Sequence, residues 1–438
     1  MILTKFCAFR FKIWKIMAFK KQTLKNDLRV ITVPFRDATS VTVLALFATG
    51  SKYEAKEING LSHFLEHMMF KGTKKRPTTL SISEELDGVG GFFNAFTGEE
   101  RTGYWVKVDW THLDLALDIV SDMLLNSKFD KKEMDKERGV IIEEMNMVKD
   151  NPRRHVWDLL GKLMYGDQPA GRDILGTKEI ISTVSREELV RYYKSQYGAG
   201  NMVLIVSGKF DQKAILGKIN KYFTRLNLQN PQEKPKVVEN QHHPEILINS
   251  KQTDQTHWCL SFRAFDIFDK RRFALAVLSL ILGEGMSSRL FIRIREKQGL
   301  AYTIHSGTDH STDTGCLAIY AGVGNDKVKK ALEETLDEIK KIKTKGITDA
   351  ELKKAKDNFK GKTLIGLETS DEWASFVGGQ EIITRKIMTP EEVLKKINKV
   401  TRRDILGVAR EVFQNEKMNL ALIGPFKDRK IFDDILKI

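Results

Sequence analysis

The sequence predicts two similar domains, each built from strands and amphipathic helices, and three observations carry that prediction. The chain has 438 residues, more than one ordinary hydrophobic core accommodates. Its composition, 41% hydrophobic and 30% charged, is that of a folded protein and not of a disordered or fibrous one. The second half also repeats the first. A shift of 216 pairs Ser185, Arg186, Glu188 and Leu189 with Thr401, Arg402, Asp404 and Ile405, and it pairs Met202 with Met418 and Gly208 with Gly424. A shift of 218 lays Phe129–Met134 over Ile347–Leu352, and a shift of 221 lays Leu61–Phe70 over Leu282–Phe291. Shifts that drift by a few residues are what loop insertions between two copies produce.

The elements follow in order. Val30–Val33 and Val41–Phe47 are β-branched runs that read as strands. Gly60 precedes a helix over Leu61–Lys71, and a second helix over Thr79–Leu86 ends at Asp87-Gly88. Gly90–Thr97 opens a hairpin that turns at Gly98–Arg101 and returns over Tyr104–Val108. Leu113, Ala116, Leu117, Val120 and Leu124 have helical spacing. Asp130 caps a long helix to Met147, and Ser185 with Glu188 forms a capping box for another. Met202–Val206 is a strand. Residues 230–245 are polar, hold three prolines and show no periodicity, so they read as a linker. Residues 1–26 are then a basic extension, 27–229 the first domain and 246–438 the second.

The helix Leu61–Lys71 carries the chemistry. His63 and His67 are four apart, so both imidazoles leave one helical face. Two imidazoles suit zinc, which takes neutral nitrogen ligands and keeps an open position in catalytic sites. Glu66 stands beside them, placed to take a proton from a metal-bound water. The pattern H-x-x-E-H inverts the commoner zinc-protease helix motif. A single histidine on such a face is more often a core residue than a ligand, so the acids downstream matter. Glu137 and Glu144 are seven apart on the long helix and share a face, whereas Glu143 points elsewhere. Glu144 is then available as a third ligand, with Glu137 one layer behind to orient a ligand. The alternative for each acid is a solvated helix charge. Val140, Ile141 and Met145, which make part of this helix apolar, weigh against it.

Other readings bound the function. The net charge is +14, but the lysines are spread along the chain with no aromatic-interleaved basic stripe. A solvated basic surface is favoured over a nucleic-acid partner. Cys7, Cys259 and Cys316 are odd in number and far apart, which argues for a reducing compartment. No apolar run reaches the roughly 18 residues that span a bilayer. The first 26 residues are basic and free of acids, which suits either a mitochondrial targeting segment or a plain extension with the start at Met17. His242 and His243 in the linker read as solvated. The shifts place Glu284, Ser287 and Ser288 opposite His63, Glu66 and His67, and Lys362 opposite Glu144, so the second copy lacks the ligands.

These residues resemble the pitrilysin-type zinc peptidases, family M16, whose shorter-chain branch includes mitochondrial processing peptidase and its bacterial relatives. In that family the third ligand lies 77 positions after the second histidine and a supporting glutamate lies seven before the ligand, which matches Glu144 and Glu137. The family's arginine and tyrosine, seven apart in the second half, match Arg295 and Tyr302. The resemblance covers nearly the whole chain after residue 26.

The resemblance implies an α+β fold in each half, an antiparallel-rich sheet with helices packed on one face, and a chamber made of four such halves. It implies one zinc per chain on His63, His67 and Glu144, with Glu66 as base. It sets Asn94, Ala95 and Phe96 beside the peptide substrate as a strand to which the peptide adds. Arg295 and Tyr302 then hold substrate backbone or stabilise the oxyanion. Because one chain carries both sets, a homodimer suffices, with a heterodimer of related subunits as the alternative. The activity implied is a metalloendopeptidase on short unstructured peptides, in a bacterial cytoplasm. The alternatives are a presequence-processing subunit of the mitochondrial matrix that needs a partner, and a noncatalytic core subunit of the same superfamily.

Overall fold

The computed structural model describes residues 19–35, 37–227 and 231–438. They form two compact units of mixed α and β structure. The first takes in residues up to 142, 174–234 and 366–387; the second takes in 143–173, 235–365 and 388–438.

The first unit is built on a six-stranded sheet. Its strands are β1 (Lys20–Thr23), β2 (Arg29–Pro34), β3 (Ser40–Phe47), β4 (Phe92–Thr97), β5 (Thr102–Asp109) and β6 (Met202–Gly208), in the order β1-β2-β6-β3-β5-β4. Only β2 and β6 run parallel; the other neighbours are antiparallel. β3 and β6 are central and buried at nearly every position, so their unbroken apolar runs need cover on both faces. The helix Leu113–Asn126 packs on β3 and β5. On the opposite face, Trp373, Ala374 and Val377 of the helix Ser370–Thr384 pack against Ile31, Val33, Leu44, Leu46, Val203 and Ile205. Gly378 lets that helix lie close, since a Cβ there would fall 2.7 Å from methyl carbons of Ile205 and Leu46.

The second unit repeats the plan. β7 (Glu245–Ser250), β8 (Gln255–Arg263), β9 (Ala301–His310), β10 (Gly315–Gly324) and β11 (Met418–Gly424) are ordered β7-β11-β8-β10-β9. This is the first sheet without β1, with the same single parallel pair, β7 and β11. One face carries most of the unit's apolar core. Against the other lies the helix Pro152–Tyr165, whose Val156, Leu160 and Met164 meet Cys259, Ala318, Tyr320, Ala421 and Ile423. Those three side chains recur every fourth residue, one stripe on a helix.

The α+β class with antiparallel-rich sheets is the one expected. Helices, however, cover both faces of each sheet where one face was expected, and four further particulars differ. The units are not the contiguous stretches 27–229 and 246–438, because each contains a helix drawn from the other half of the sequence. The extension assigned to residues 1–26 is in part structural. Lys20–Thr23 is the edge strand β1, paired with Arg29–Thr32, and Lys21 bonds buried Glu381 at 2.8 Å. Of the 26 residues to which the targeting alternative applies, 1–18 lie outside the described residues. The shift of 221 fails, because Leu282–Phe291 is not one helix. The helix Arg272–Gly283 ends there, Gly285 has φ +89°, and a π-helical turn, Phe291–Lys297, begins at the far end. In element order it is Arg272–Gly283 that stands in the place of the histidine helix, between β8 and the β9–β10 hairpin. Glu284, Ser287 and Ser288 are therefore not the counterparts of His63, Glu66 and His67. The true counterpart holds no histidine or acid at all. Finally, Val140 is 51% exposed, so only Ile141 and Met145 of the three apolar residues pack inward.

The described part of the linker, 231–244, has no regular structure, and His242 and His243 are exposed. Among the described residues no helix is long and apolar enough to cross a membrane.

Candidate metal centre

The helix Leu61–Met69 buries Leu61, Phe64, Leu65, Met68 and Met69, which leaves its polar stripe on one side. On that stripe His63 and His67 face each other with their Nε2 atoms 3.2 Å apart. The second helix, Lys131–Asp150, begins where Asp130 Oδ1 accepts from the N–H groups of Lys132 and Glu133. It is unbroken to Asp150. Glu137 on it accepts from His67 Nδ1 at 2.8 Å, which fixes the helix beside the histidines. Two turns on, Glu144 brings its carboxylate to them. Ligand atoms of His63, His67 and Glu144 all lie within 4.8 Å of one another, the one group of this kind among the described residues. Glu143 is exposed, as the helical register predicts.

The donor set fits a zinc ion. Two lone pairs 3.2 Å apart repel unless a cation or a proton lies between them. Two nitrogens bound tetrahedrally at ~2.05 Å stand about 3.3 Å apart. The hydrogen bond to Glu137 holds the His67 proton on Nδ1 and leaves Nε2 as a donor. Glu137 is 4% exposed, and its second oxygen bonds Lys71 Nζ at 2.6 Å. Burial raises the Glu137 carboxyl, but the bonds from His67 and Lys71 outweigh it and hold the group below its ordinary value.

Two further residues complete the surroundings. Thr97 Oγ1 donates to Glu66 Oε2 at 2.5 Å and so aims the carboxylate. Thr97 ends β4, the outermost strand of its sheet. Asn94, Ala95 and Phe96 lie in the same edge strand, with Asn94 and Phe96 exposed. The Ala95 N–H is taken by Asn94 Oδ1 at 2.8 Å. The sequence reading missed both Lys71 and Thr97. Lys71 lies just past the C-cap of the histidine helix, and no helical spacing in the sequence points it at that acid. Thr97 shares a strand face with Phe93 and Ala95, and it is the polar member of that face.

Arg295 and Tyr302 belong to the second unit. Arg295 lies on the π-helical turn, its guanidinium 5.1 Å from the Tyr302 ring and 4.8 Å from that of Phe291. Tyr302, at the start of edge strand β9, is 75% exposed.

Comparison with known proteins gives the family. Residues 29–178 match the family model described as insulinase, peptidase family M16, and residues 183–359 match that of the peptidase M16 inactive domain. The chain is 36% identical to an uncharacterized zinc protease of Bacillus subtilis, over 93% of this chain and 98% of the relative. It is 35% identical to one of Streptomyces coelicolor, over 94% and 90%. Its fold is similar to the crystal structure of a protease from Helicobacter pylori, with a TM-score of 0.88, 24% identity, and coverage of 93% of this chain and 100% of that one. Matched in both halves and along nearly the full length of these relatives, the chain belongs to peptidase family M16.

Proposed function

We propose that the protein is a zinc-dependent endopeptidase acting on short unstructured peptides. The observation that carries this is the meeting of His63, His67 and Glu144 beside a glutamate, Glu66, held by Thr97. The names of the relatives as zinc proteases support the choice of metal. When bound, zinc supplies Lewis acidity, which acidifies water and polarises a peptide carbonyl.

The chain's own residues do the rest. Glu66 takes the proton of the attacking water at its carboxylate and delivers it to the leaving amine. Thr97 holds Glu66 Oε2 at 2.5 Å and so orients the carboxylate for that proton transfer. Glu137 and Lys71 hold His67 in one tautomer and orientation. The free edge of β4 offers backbone groups at Asn94, Ala95 and Phe96 to an extended peptide, with the Asn94 side chain swinging off the Ala95 N–H. Only an unfolded segment can add as a strand, which selects the substrate class. Arg295 and Tyr302 grip substrate backbone or the developing oxyanion. One chain holds both sets, so a homodimer is the working assembly.

The test is Glu66→Gln, which keeps size and leaves the ligands intact. Zinc content by atomic absorption should match wild type while hydrolysis of a fluorogenic peptide collapses. A zinc-replete variant that still turns over would remove Glu66 from its role.

A further inference from the structure

Thr49–Glu54 touches both halves of the reaction apparatus. Glu54, 1% exposed, accepts from Ser62 N at 2.6 Å with Oε1, and from Gly60 N at 2.7 Å and Asn59 Nδ2 at 3.0 Å with Oε2. Gly60, the residue before the histidine helix, has φ +99° and no side chain to cap it. Glu54 therefore supplies from outside the acceptor that a helix N-terminus needs. Tyr192 strengthens the tie, its hydroxyl 2.6 Å from Ser62 Oγ and 3.0 Å from Thr49 Oγ1.

Two residues before Glu54, Lys52 does the same for the hairpin. Its side chain is 2% exposed, and its ammonium bonds Glu99 at 2.6 Å with Glu100 at 3.9 Å. The backbone joins in, Ser51 N to Gly98 O at 3.3 Å and Lys52 N to Glu99 O at 3.0 Å. Gly50 is required by this approach, since a Cβ there would meet Gly98 O at 2.1 Å. Gly98–Glu100 is the turn that directly follows Thr97, the residue that holds Glu66.

We propose that Gly50–Glu54 is a brace that sets the substrate strand and the zinc helix at a fixed separation, with Lys52 positioning β4 and Glu54 positioning His63, Glu66 and His67. The proposal rests on the function proposed above. Neither residue touches substrate or metal; each acts through the element it holds. A buried ammonium and a buried carboxylate are both costly in an apolar interior, and each is spent on one end of a single rigid turn.

The experiment uses the full-length, zinc-loaded protein and reads kcat, KM and zinc affinity by chelator competition, with circular dichroism as a check on folding. Lys52→Met is expected to raise KM about tenfold or more with zinc affinity unchanged, because only the strand loosens. Glu54→Gln places an amide N–H against backbone N–H groups, so it is expected to weaken zinc about tenfold and to lower kcat, a misplacement effect of up to about 10². Lys52→Arg, which keeps the charge, should recover most of the KM. Glu99→Gln removes the other end of the Lys52 pair at a 41% exposed site, and it serves where Lys52→Met does not fold. Folded variants of both residues within twofold of wild type in all three quantities would overturn the brace. So would a Lys52 or Glu99 variant that loses zinc as Glu54→Gln does, since the turn would then be a general stabiliser. A wild-type protein that neither binds zinc nor cleaves peptide would instead overturn the functional reading, and the brace with it.

Discussion

Replacing Glu137 by glutamine is expected to weaken zinc binding by roughly ten- to a hundredfold. The size follows from the contact. His67 Nδ1 donates to a carboxylate oxygen at 2.8 Å, and a hydrogen bond to a charged group contributes about 1.5–3 kcal/mol. Glutamine keeps a neutral bond of about 0.5–1.5 kcal/mol, so about 1–1.5 kcal/mol is lost, which at about 1.4 kcal/mol per factor of ten puts the change at the lower end of the expected range. Glutamine still accepts from Nδ1, so the tautomer is kept while the charge that makes the ring a better donor is lost. Lys71 then faces a neutral amide, but at 23% exposure it turns to water at small cost. The reverse change differs. Lys71→Met leaves a nearly buried carboxylate with one partner fewer. Because Lys71 is 23% exposed, the loss of stability should fall below the about 3–5 kcal/mol of a fully buried pair, and zinc should be affected less than in Glu137→Gln. Competition with a chromophoric chelator gives the affinities, and urea unfolding of metal-free samples gives the stabilities. Zinc affinity unchanged within twofold in Glu137→Gln would refute the reasoning. So would a Lys71→Met protein as stable as wild type.

Glu144→Gln should lose zinc and Glu143→Gln should keep it; metal analysis showing the opposite would put the helix one residue out of register. Tyr302→Phe should leave folding and zinc content unchanged. If its hydroxyl bonds the oxyanion, kcat falls by roughly 10²–10³; an unchanged kcat and KM would remove the residue from the site. Burial pushes the Glu54 carboxyl up to about 7, against the pull of its N–H donors. Such a group contributes stability fully below its unfolded value of about 4.5, and that contribution is lost as pH rises through about 7. Between pH 4.5 and 8 the stability of wild type relative to Glu54→Gln should therefore fall by up to about 3 kcal/mol. Parallel stability profiles in urea would show that Glu54 does not titrate in this window.

The meeting of His63, His67 and Glu144 was legible because its information is local. Spacings of four and seven residues place His63, His67, Glu137 and Glu144 on helical faces whatever the rest of the chain does. Lys71, Thr97, Lys52 and Glu54 act on partners whose approach depends on tertiary packing, and nothing in their own spacing names those partners. The strands of the first sheet were legible from β-branched runs, but β1 was not. Lys20–Thr23 is a polar edge strand, exposed along its length, and its basic character reads as an extension. The helix Pro152–Tyr165 shows an apolar stripe in sequence, yet a stripe does not say which sheet it will cover. The false alignment of Leu282–Phe291 arose because apolar residues recur in both segments, while the real counterpart had traded every ligand for core residues.

The exchange of helices has a consequence for how such a molecule comes apart. The polypeptide passes between its two units five times, so residues 230–245 are not a joint at which it divides. A nick there leaves an amino-terminal piece without Trp373, Ala374 and Val377, and bares Ile31, Val33, Leu44, Leu46, Val203 and Ile205. At about 1.5–3 kcal/mol for each large side chain buried, that naked sheet face is comparable to the whole stability of an ordinary domain. The carboxy-terminal piece is stripped in the same way of Val156, Leu160 and Met164. Each fragment is thus a ready receptor for the other, and separated fragments should be sticky alone and re-form the protein when mixed. Two repeated halves make a single unfolding unit, in which neither half covers its own sheet without a helix from the other.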